Sequence, residues 1–188
     1  MIPLCVLCAL CDLCAQFFFL GGSSVRRATI RVKTDEAIRA KEAGVMLRKV
    51  TDLTDATRLK ELIAPSVFNP SVVRLDYLLT TVYAIPQRKL YVWEEDGQPA
   101  GILGIERVGR DAALLLHIAV DERFRHRGIA SRMVSGVIAE EGLKALYSET
   151  DQESVGFYRA YGFQVTSLGE KHPGIERFSC RWEAETAS

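Results

Sequence analysis

The chain has 188 residues, with 24 Lys and Arg against 24 Asp and Glu, so its formal net charge is zero. This balance argues against nucleic acid as a partner, because general binding to phosphate backbones depends on excess positive charge. Hydrophobic residues make up 48% of the chain and charged residues 26%. Both values are typical of one globular domain with its own core, and they argue against a chain that is disordered throughout.

Residues 1–20 form an apolar segment that carries four of the five cysteines. The segment is about long enough to span a bilayer as a helix, and the Arg26-Arg27 pair behind it would keep the following domain on the cytoplasmic side. A secretory signal is disfavoured because the basic pair follows the apolar run. An iron–sulfur run is disfavoured because the closing Cys-Pro is absent. The segment is therefore interpreted as an apolar tail, a membrane anchor or a mis-assigned start, and residues 21–44 as a linker.

Cys180 is the one cysteine beyond the apolar segment. A single thiol in so long a stretch excludes a disulfide framework and fits a reducing compartment. We therefore expect a cytoplasmic domain over residues 45–183, with membrane contact only if residues 1–20 insert.

The first half of this domain predicts one strand, two helices and a hairpin. Residues 45–50 alternate like a strand, and residues 51–63 and 70–83 carry apolar side chains at helical spacing. Residues 89–109 contain two apolar runs separated by Asp96-Gly97, a dipeptide that tolerates the positive φ angles of a tight turn. Two antiparallel strands are therefore expected there.

The middle of the domain predicts a strand, a helix and a second strand. Residues 111–120 are apolar almost throughout, as expected of a central strand covered on both faces. A helical stripe begins at Ile129 and ends before Gly142, where a left-handed exit is available. Residues 143–150 then return as a strand.

The last part predicts a helix and two more strands. Thr150 and Glu153 have capping-box spacing for a helix that runs to about Tyr161, and residues 163–168 and 175–182 are strand candidates. The complete order is β-α-α-β-β-β-α-β-α-β-β. This order predicts an α/β (α+β) domain with a mixed, mostly antiparallel sheet flanked by helices.

The loop after the central strand, DERFRHRGIASRM, is a candidate phosphate site. A strand-to-helix junction has free backbone N–H groups, the helix dipole favours an anion, and Gly128 allows close approach of the backbone. Arg125 and Arg127 add positive charge. The alternative is a surface loop with an ordinary helix cap.

Two motifs in the right order give the chain a resemblance to the GNAT superfamily of acyl-CoA-dependent N-acetyltransferases. The family motif [Q/R]-x-x-G-x-[G/A] is matched by Arg125, His126, Arg127, Gly128, Ile129 and Ala130. Downstream, ETDQESVGFYRAYGF resembles the family's strand end and following helix, with Phe157-Tyr158 and Gly162-Phe163. The element order is similar as well, and the resemblance covers roughly residues 45–182.

The resemblance implies acetyl-CoA as co-substrate and no metal. It implies that the CoA pyrophosphate rests on the backbone amides of residues 125–130, and that the pantetheine arm runs beside Ile118, Ala119 and Val120. The family often has Asn where this chain has Asp151. A carboxylate there can accept hydrogen bonds from the pantetheine amides but cannot donate one.

The resemblance also implies catalytic roles. Tyr158 matches the family's usual general acid, and a phenol with a pKa of about 10 stays protonated at neutral pH. The alternative is a core tyrosine. A backbone N–H near Val120 is expected to stabilise negative charge on the acetyl carbonyl oxygen.

Glu149 at a strand end is the first candidate for the general base. Glu94, Glu106 and His117 are weaker candidates. His117 has the opposite strand parity to Ile118, so we expect it to point away from the cofactor and to be a core histidine.

The expected function is acetyl transfer from acetyl-CoA to an amine, by direct attack in a ternary complex. The acceptor is a small-molecule or peptide amine that the sequence does not identify, and a homodimer is left open. A non-catalytic acyl-CoA-binding sensor or regulatory module is the main alternative.

Overall fold

The structure is a computed structural model that describes residues 46–53 and 55–185, without the side chains of residues 171 and 172. The tail, anchor and linker hypotheses fall on residues 1–44 and so lie outside the described residues. Within the described ranges, no helix combines the length and the apolar character that a bilayer span requires.

The described residues build one seven-stranded sheet with the order β1-β2-β3-β4-β5-β7-β6. In chain order the elements are β1 (Met46–Lys49), α1 (Ala56–Ile63), α2 (Val72–Tyr77), β2 (Arg88–Glu95), β3 (Gln98–Arg107), β4 (Ala112–Val120), α3 (Ile129–Glu141), β5 (Ala145–Asp151), α4 (Val155–Tyr161), β6 (Gln164–His172) and β7 (Ile175–Glu183). Only the β4–β5 pair among them is parallel. The predicted element order, the mixed and mostly antiparallel sheet and the central position of β4 are therefore confirmed.

The hairpin between β2 and β3 turns at the predicted dipeptide. Asp96 has a φ of 52° and Gly97 a φ of 73°. Two successive positive φ angles match the twist of the flanking strands, which is why this dipeptide suits a two-residue turn.

Helices cover both faces of the sheet, and each face has its own apolar core. On the face covered by α3 and α4, here called the α3 face, the core includes Met133, Tyr158, Leu103, Leu115 and Leu146. On the face covered by α1 and α2, here called the α1 face, the core includes Leu62, Leu79, Val92 and Ile102. Successive strand residues such as Ile102 and Leu103 point to opposite faces, as the pleat of a strand requires.

The boundaries of three helices differ from the sequence predictions. α1 begins at Ala56 rather than at residue 51, and the second predicted helix is an α-helix that continues as a π turn over Leu78–Val82. The predicted capping box is wrong, because Thr150 is buried within β5, opposite Phe178 of β7. Asp151 instead accepts a hydrogen bond from the Ser154 N–H at 3.1 Å, ahead of α4.

Candidate active site

β4 loses its pairing with β5 halfway along its length, and its ladder with β3 shifts register at the same place. Its parallel ladder with β5 ends at the pair Leu114 and Tyr147. Its ladder with β3 shifts register between the pairs Gly104–His117 and Ile105–Leu115, so one extra residue, Leu116, forms a β-bulge. Beyond this point β4 and β5 separate. The space between residues 115–120 and 148–151 is called the β4–β5 gap below.

Backbone N–H groups of β4 point into this gap. The Asp121 N–H donates to the Ala100 carbonyl of β3 at 2.9 Å. Because bonding direction alternates along a strand, the N–H groups of Ile118 and Val120 point away from β3 and towards β5. Because the strands separate, these two N–H groups can donate hydrogen bonds to a molecule bound in the gap.

The loop between β4 and α3 presents the start of the helix without a capping side chain. His126 has a φ of 62° and Gly128 a φ of 73°, so the chain turns through the left-handed region twice. Gly128 is the N-cap residue, and no side chain accepts a hydrogen bond from the first turn. Those N–H groups and the helix dipole together form a site for an anion.

A cavity of about 280 Å³ lies at this junction. Six residues that the sequence predicted to bind the cofactor line it: Val120, Arg125, His126, Gly128, Ile129 and Ala130. Phe124, Ser131 and Phe157 also line the cavity, and sequence reasoning did not assign them to the site. Ser131 could have been found from its place in the first turn of α3. The contribution of Phe157 depends on how α4 packs, which no local pattern reveals.

Four other predicted cofactor residues lie outside the lining of this cavity. Ile118 packs against the core of the α3 face, and Ala119 packs against that of the α1 face. The Arg127 guanidinium lies over the Phe124 ring, 5.2 Å from its centroid. The Asp151 carboxylate is engaged by the Ser154 N–H.

Tyr158 lies at the closed end of the β4–β5 gap, on the α3 face. Its side chain is 4% exposed, and its hydroxyl is 3.0 Å from Ser148 Oγ. Ser148 in turn donates to the Leu115 carbonyl at 3.2 Å, where the two strands part. Burial raises the pKa of Tyr158 to about 12. The phenol therefore keeps its proton at neutral pH.

Glu149 lies on the other face. Along β5, Leu146 and Ser148 face the α3 side, so the alternation places the Glu149 side chain on the α1 face. The carboxylate is 7% exposed and forms an ion pair with Arg177 Nε at 3.0 Å. The negative charge of Glu149 therefore lies beside the gap, and Arg177 on the neighbouring strand holds the carboxylate in place.

The weaker base candidates are held in specific contacts. Glu94 forms an ion pair with Arg48, and Glu106 forms one with Arg88. His117 Nδ1 is 2.7 Å from the hydroxyl of Tyr83, which packs against the α1-face core. His117 lies on the face opposite to Ile118, as the strand parity predicted, and its side chain is partly exposed rather than fully buried in the core.

The fold and the site define a domain with a cavity at the uncapped start of α3 and, beside it, a gap between two neighbouring strands. Residues 86–165 match the model of a family described as the acetyltransferase (GNAT) domain. This match confirms the resemblance found in the sequence.

Solved structures agree with this assignment. A GNAT family acetyltransferase from Elizabethkingia anophelis with acetyl-CoA bound is 20% identical, covers 75% of this chain and 99% of its own, and has a TM-score of 0.56. The ribosomal-protein-S18-alanine N-acetyltransferase from Escherichia coli is 15% identical, covers 77% and 96%, and has a TM-score of 0.59. A dodecameric spermidine N-acetyltransferase from Vibrio cholerae is 14% identical, covers 74% and 94%, and has a TM-score of 0.60. At these identities the likeness shows the fold. A search of curated proteins finds no match.

Proposed function

We propose that this protein transfers an acetyl group from acetyl-CoA to the amine of a small-molecule or peptide acceptor, by direct attack in a ternary complex. One observation carries the proposal. Val120 lines the cavity at the uncapped start of α3, and its backbone N–H points into the β4–β5 gap. Val120 therefore lies next to the proposed anion site and also offers a backbone N–H that can polarise the carbonyl group of a molecule in the gap.

The residues at the cavity fit the CoA pyrophosphate. The N–H groups of the first turn of α3 have no capping side chain, and the space around Gly128 is open, because a Cβ built there meets no atom within 4 Å. Arg125 and Arg127 place two positive charges beside this turn. The backbone of residues 125–130 would hold the pyrophosphate, and Ile118, Ala119 and Val120 would flank the pantetheine arm.

Acetyl-CoA, when bound, supplies a thioester whose C–S bond breaks as the C–N bond to the amine forms. The N–H groups of Ile118 and Val120 donate to the carbonyl oxygen, which gains negative charge. Glu149 takes the proton that the amine nitrogen loses, and Tyr158 gives a proton to the sulfur that leaves. One proton is lost and one is gained, so the transfer is balanced.

The position of Tyr158 supports its role. Its hydroxyl is buried, stays protonated and lies 3.0 Å from Ser148 Oγ, where β4 and β5 part. Asp151 keeps lone pairs that could accept from a pantetheine amide beside its bond to Ser154. Cytoplasmic location and a homodimer remain expectations from the sequence.

The test is an assay of free thiol release by the purified protein with acetyl-CoA and a panel of amines. The expected result is amine-dependent release above the hydrolysis background, with acetylated amine found by mass spectrometry. Tight binding of acetyl-CoA without release for any amine would favour the sensor or regulatory alternative.

A further inference from the structure

His117 and Tyr83 form a partly buried pair on the α1 face, beside the β4 bulge. His117 Nδ1 is 2.7 Å from the Tyr83 hydroxyl, and the two rings lie at 59° with centroids 5.8 Å apart. The neighbouring charged groups are Arg88 and Glu106, which form an ion pair with each other at 2.8 Å. Neither His117 nor Tyr83 takes part in the proposed transfer of the acetyl group.

Gly104 fixes the direction in which the His117 ring points. Gly104 is the β3 partner of His117, and a Cβ at Gly104 would overlap the Tyr83 hydroxyl. The hydroxyl therefore lies directly above β3, and Nδ1 points towards β3 to meet it. In an imidazole ring the other nitrogen, Nε2, points in nearly the opposite direction, so we infer that it faces the β4–β5 gap.

Tyr83 also fixes the proton on the ring. Burial raises the pKa of Tyr83, so its hydroxyl keeps its proton, and Nδ1 is its one hydrogen-bond partner within the described part of the chain. The hydroxyl therefore donates to Nδ1, and in a neutral ring the proton must then be on Nε2. Burial, assisted by the charge of Arg88, lowers the pKa of His117 to about 4, so the ring is neutral at physiological pH.

His117 thus presents a neutral N–H donor on the side from which an acceptor would come. The cavity for the cofactor lies on the α3 face, so the second reactant has the α1 face as its approach. Glu149 lies on this same face, where its carboxylate is paired with Arg177 Nε at 3.0 Å. His117 is partly exposed, and no residue among those described bonds its Nε2.

We propose that His117 selects acceptors in which a hydrogen-bond-accepting oxygen lies next to the reactive amine, the arrangement found in the α-amino group of a peptide or amino acid amide. This inference rests on the proposed function. Nε2–H pairs with the carbonyl oxygen while the amine lies near Glu149. A polyamine offers no such oxygen, so it would leave the donor without a partner, and sites built around a hydrogen bond reject such analogues strongly.

The experiment compares two amines of the same shape. One is L-alaninamide, and the other is its isostere in which an isopropyl group replaces the carboxamide. Values of kcat/KM are referred to the concentration of free amine, because the two ammonium groups differ in pKa. We expect the normal protein to prefer alaninamide at least tenfold. His117→Phe should reduce this preference by about tenfold, the effect of one hydrogen bond to a group otherwise left unpaired.

Matched variants separate selection from structure. His117→Gln keeps an N–H donor and should retain part of the preference for alaninamide. Tyr83→Phe removes the hydroxyl that fixes the ring proton on Nε2, so it should weaken this preference less than His117→Phe does. Melting temperature and acetyl-CoA Kd, measured on each variant, report folding and the cofactor site. If His117→Phe fails to fold, the test relies on Tyr83→Phe, for which we expect a reduced preference for alaninamide.

Three outcomes overturn the inference. They are equal preference for the two amines in the normal protein, an equal loss for both amines in His117→Phe, and a preference that none of the variants changes. If the protein transfers acetyl to none of the amines, the proposed function is overturned instead. This outcome is recognised because thiol release then stays at background.

Discussion

The two faces of β4 carry sites that are built in different ways. On the α3 face the proposed anion site consists mainly of backbone, namely the uncapped first turn of α3 and the left-handed residues His126 and Gly128. On the α1 face the pair His117 and Tyr83 consists of side chains from distant parts of the chain. A backbone site is encoded by a short local motif, whereas a side-chain site depends on the packing of several elements.

This difference predicts how each site responds to substitution. The anion site should tolerate changes in loop side chains but not a change in the backbone at Gly128. The side-chain pair should be sensitive to small changes in its supports, above all at Gly104, which leaves room for the Tyr83 hydroxyl. Tyr158 is the proposed acid for the sulfur that leaves, so its variant should have the largest effect.

Tyr158→Phe keeps the ring and removes the proton. If the phenol protonates the departing sulfur, kcat should fall by about two to four powers of ten, the usual scale for a general acid, with little change in acetyl-CoA Kd. If the hydroxyl only donates within the core, the variant should lose about 1 kcal/mol of stability and keep its turnover. Measurements of kcat, Kd and melting temperature on one preparation distinguish these results.

Ser148→Ala is the matched control for this variant. It removes the hydrogen-bond partner of the same hydroxyl and leaves the phenol in place. A catalytic phenol predicts a much larger loss of kcat for Tyr158→Phe than for Ser148→Ala. Similar small losses for both would contradict the catalytic role.

Gly128→Val should weaken acetyl-CoA binding at least tenfold. Valine adds a branched side chain where the pyrophosphate approaches, at a φ of 73° that such a residue rarely adopts. Isothermal titration calorimetry measures the change.

Gly142→Val controls for backbone strain. Gly142 ends the same helix with a φ of 60°, and a Cβ there also meets no atom within 4 Å. Both variants should lose stability, but only Gly128→Val should lose affinity. Equal affinity loss in the two would remove the loop from the site.

The sequence predicted the α3 face far better than the α1 face, for physical reasons. The R-x-x-G-x-A motif specifies a strand-to-helix junction within a few residues, and the cavity lies there. The sequence shows Phe157 only as part of a motif. It does not reveal that Phe157 lines the cavity, because this position depends on tertiary packing. The parity of β4 predicted the side to which His117 points. The sequence did not reveal Tyr83 as its partner, because the two residues are 34 positions apart and meet only through the sheet.

Gly104→Ala should disturb the α1 face alone. The new Cβ would displace the Tyr83 hydroxyl, so the bond that orients His117 should be lost, with a stability cost of about 1–3 kcal/mol for overpacking. We expect a lower preference for alaninamide over its isostere and an unchanged acetyl-CoA Kd. Gly101→Ala in the same strand is the control, because its Cβ meets the flexible end of Met133 on the α3 face at 3.0 Å and the Ala119 carbonyl at 3.2 Å. Loss of amine preference in Gly101→Ala as well would show that the two faces are not independent.

The smallest expected effect is the response of Tyr158 to alkaline pH. Because burial raises its pKa to about 12, the folded protein holds this proton more tightly than the unfolded chain, whose phenol titrates at about pH 10. The stability from this difference is therefore fully present below about pH 10 and is lost as pH rises towards 12. The melting temperature of the normal protein should fall more steeply above pH 10 than that of Tyr158→Phe, and kcat should show no alkaline loss from this phenol up to that pH. Parallel melting curves for the two proteins, or a kcat that is halved by about pH 10, would mean that the hydroxyl is hydrated and lies outside the closed end of the gap.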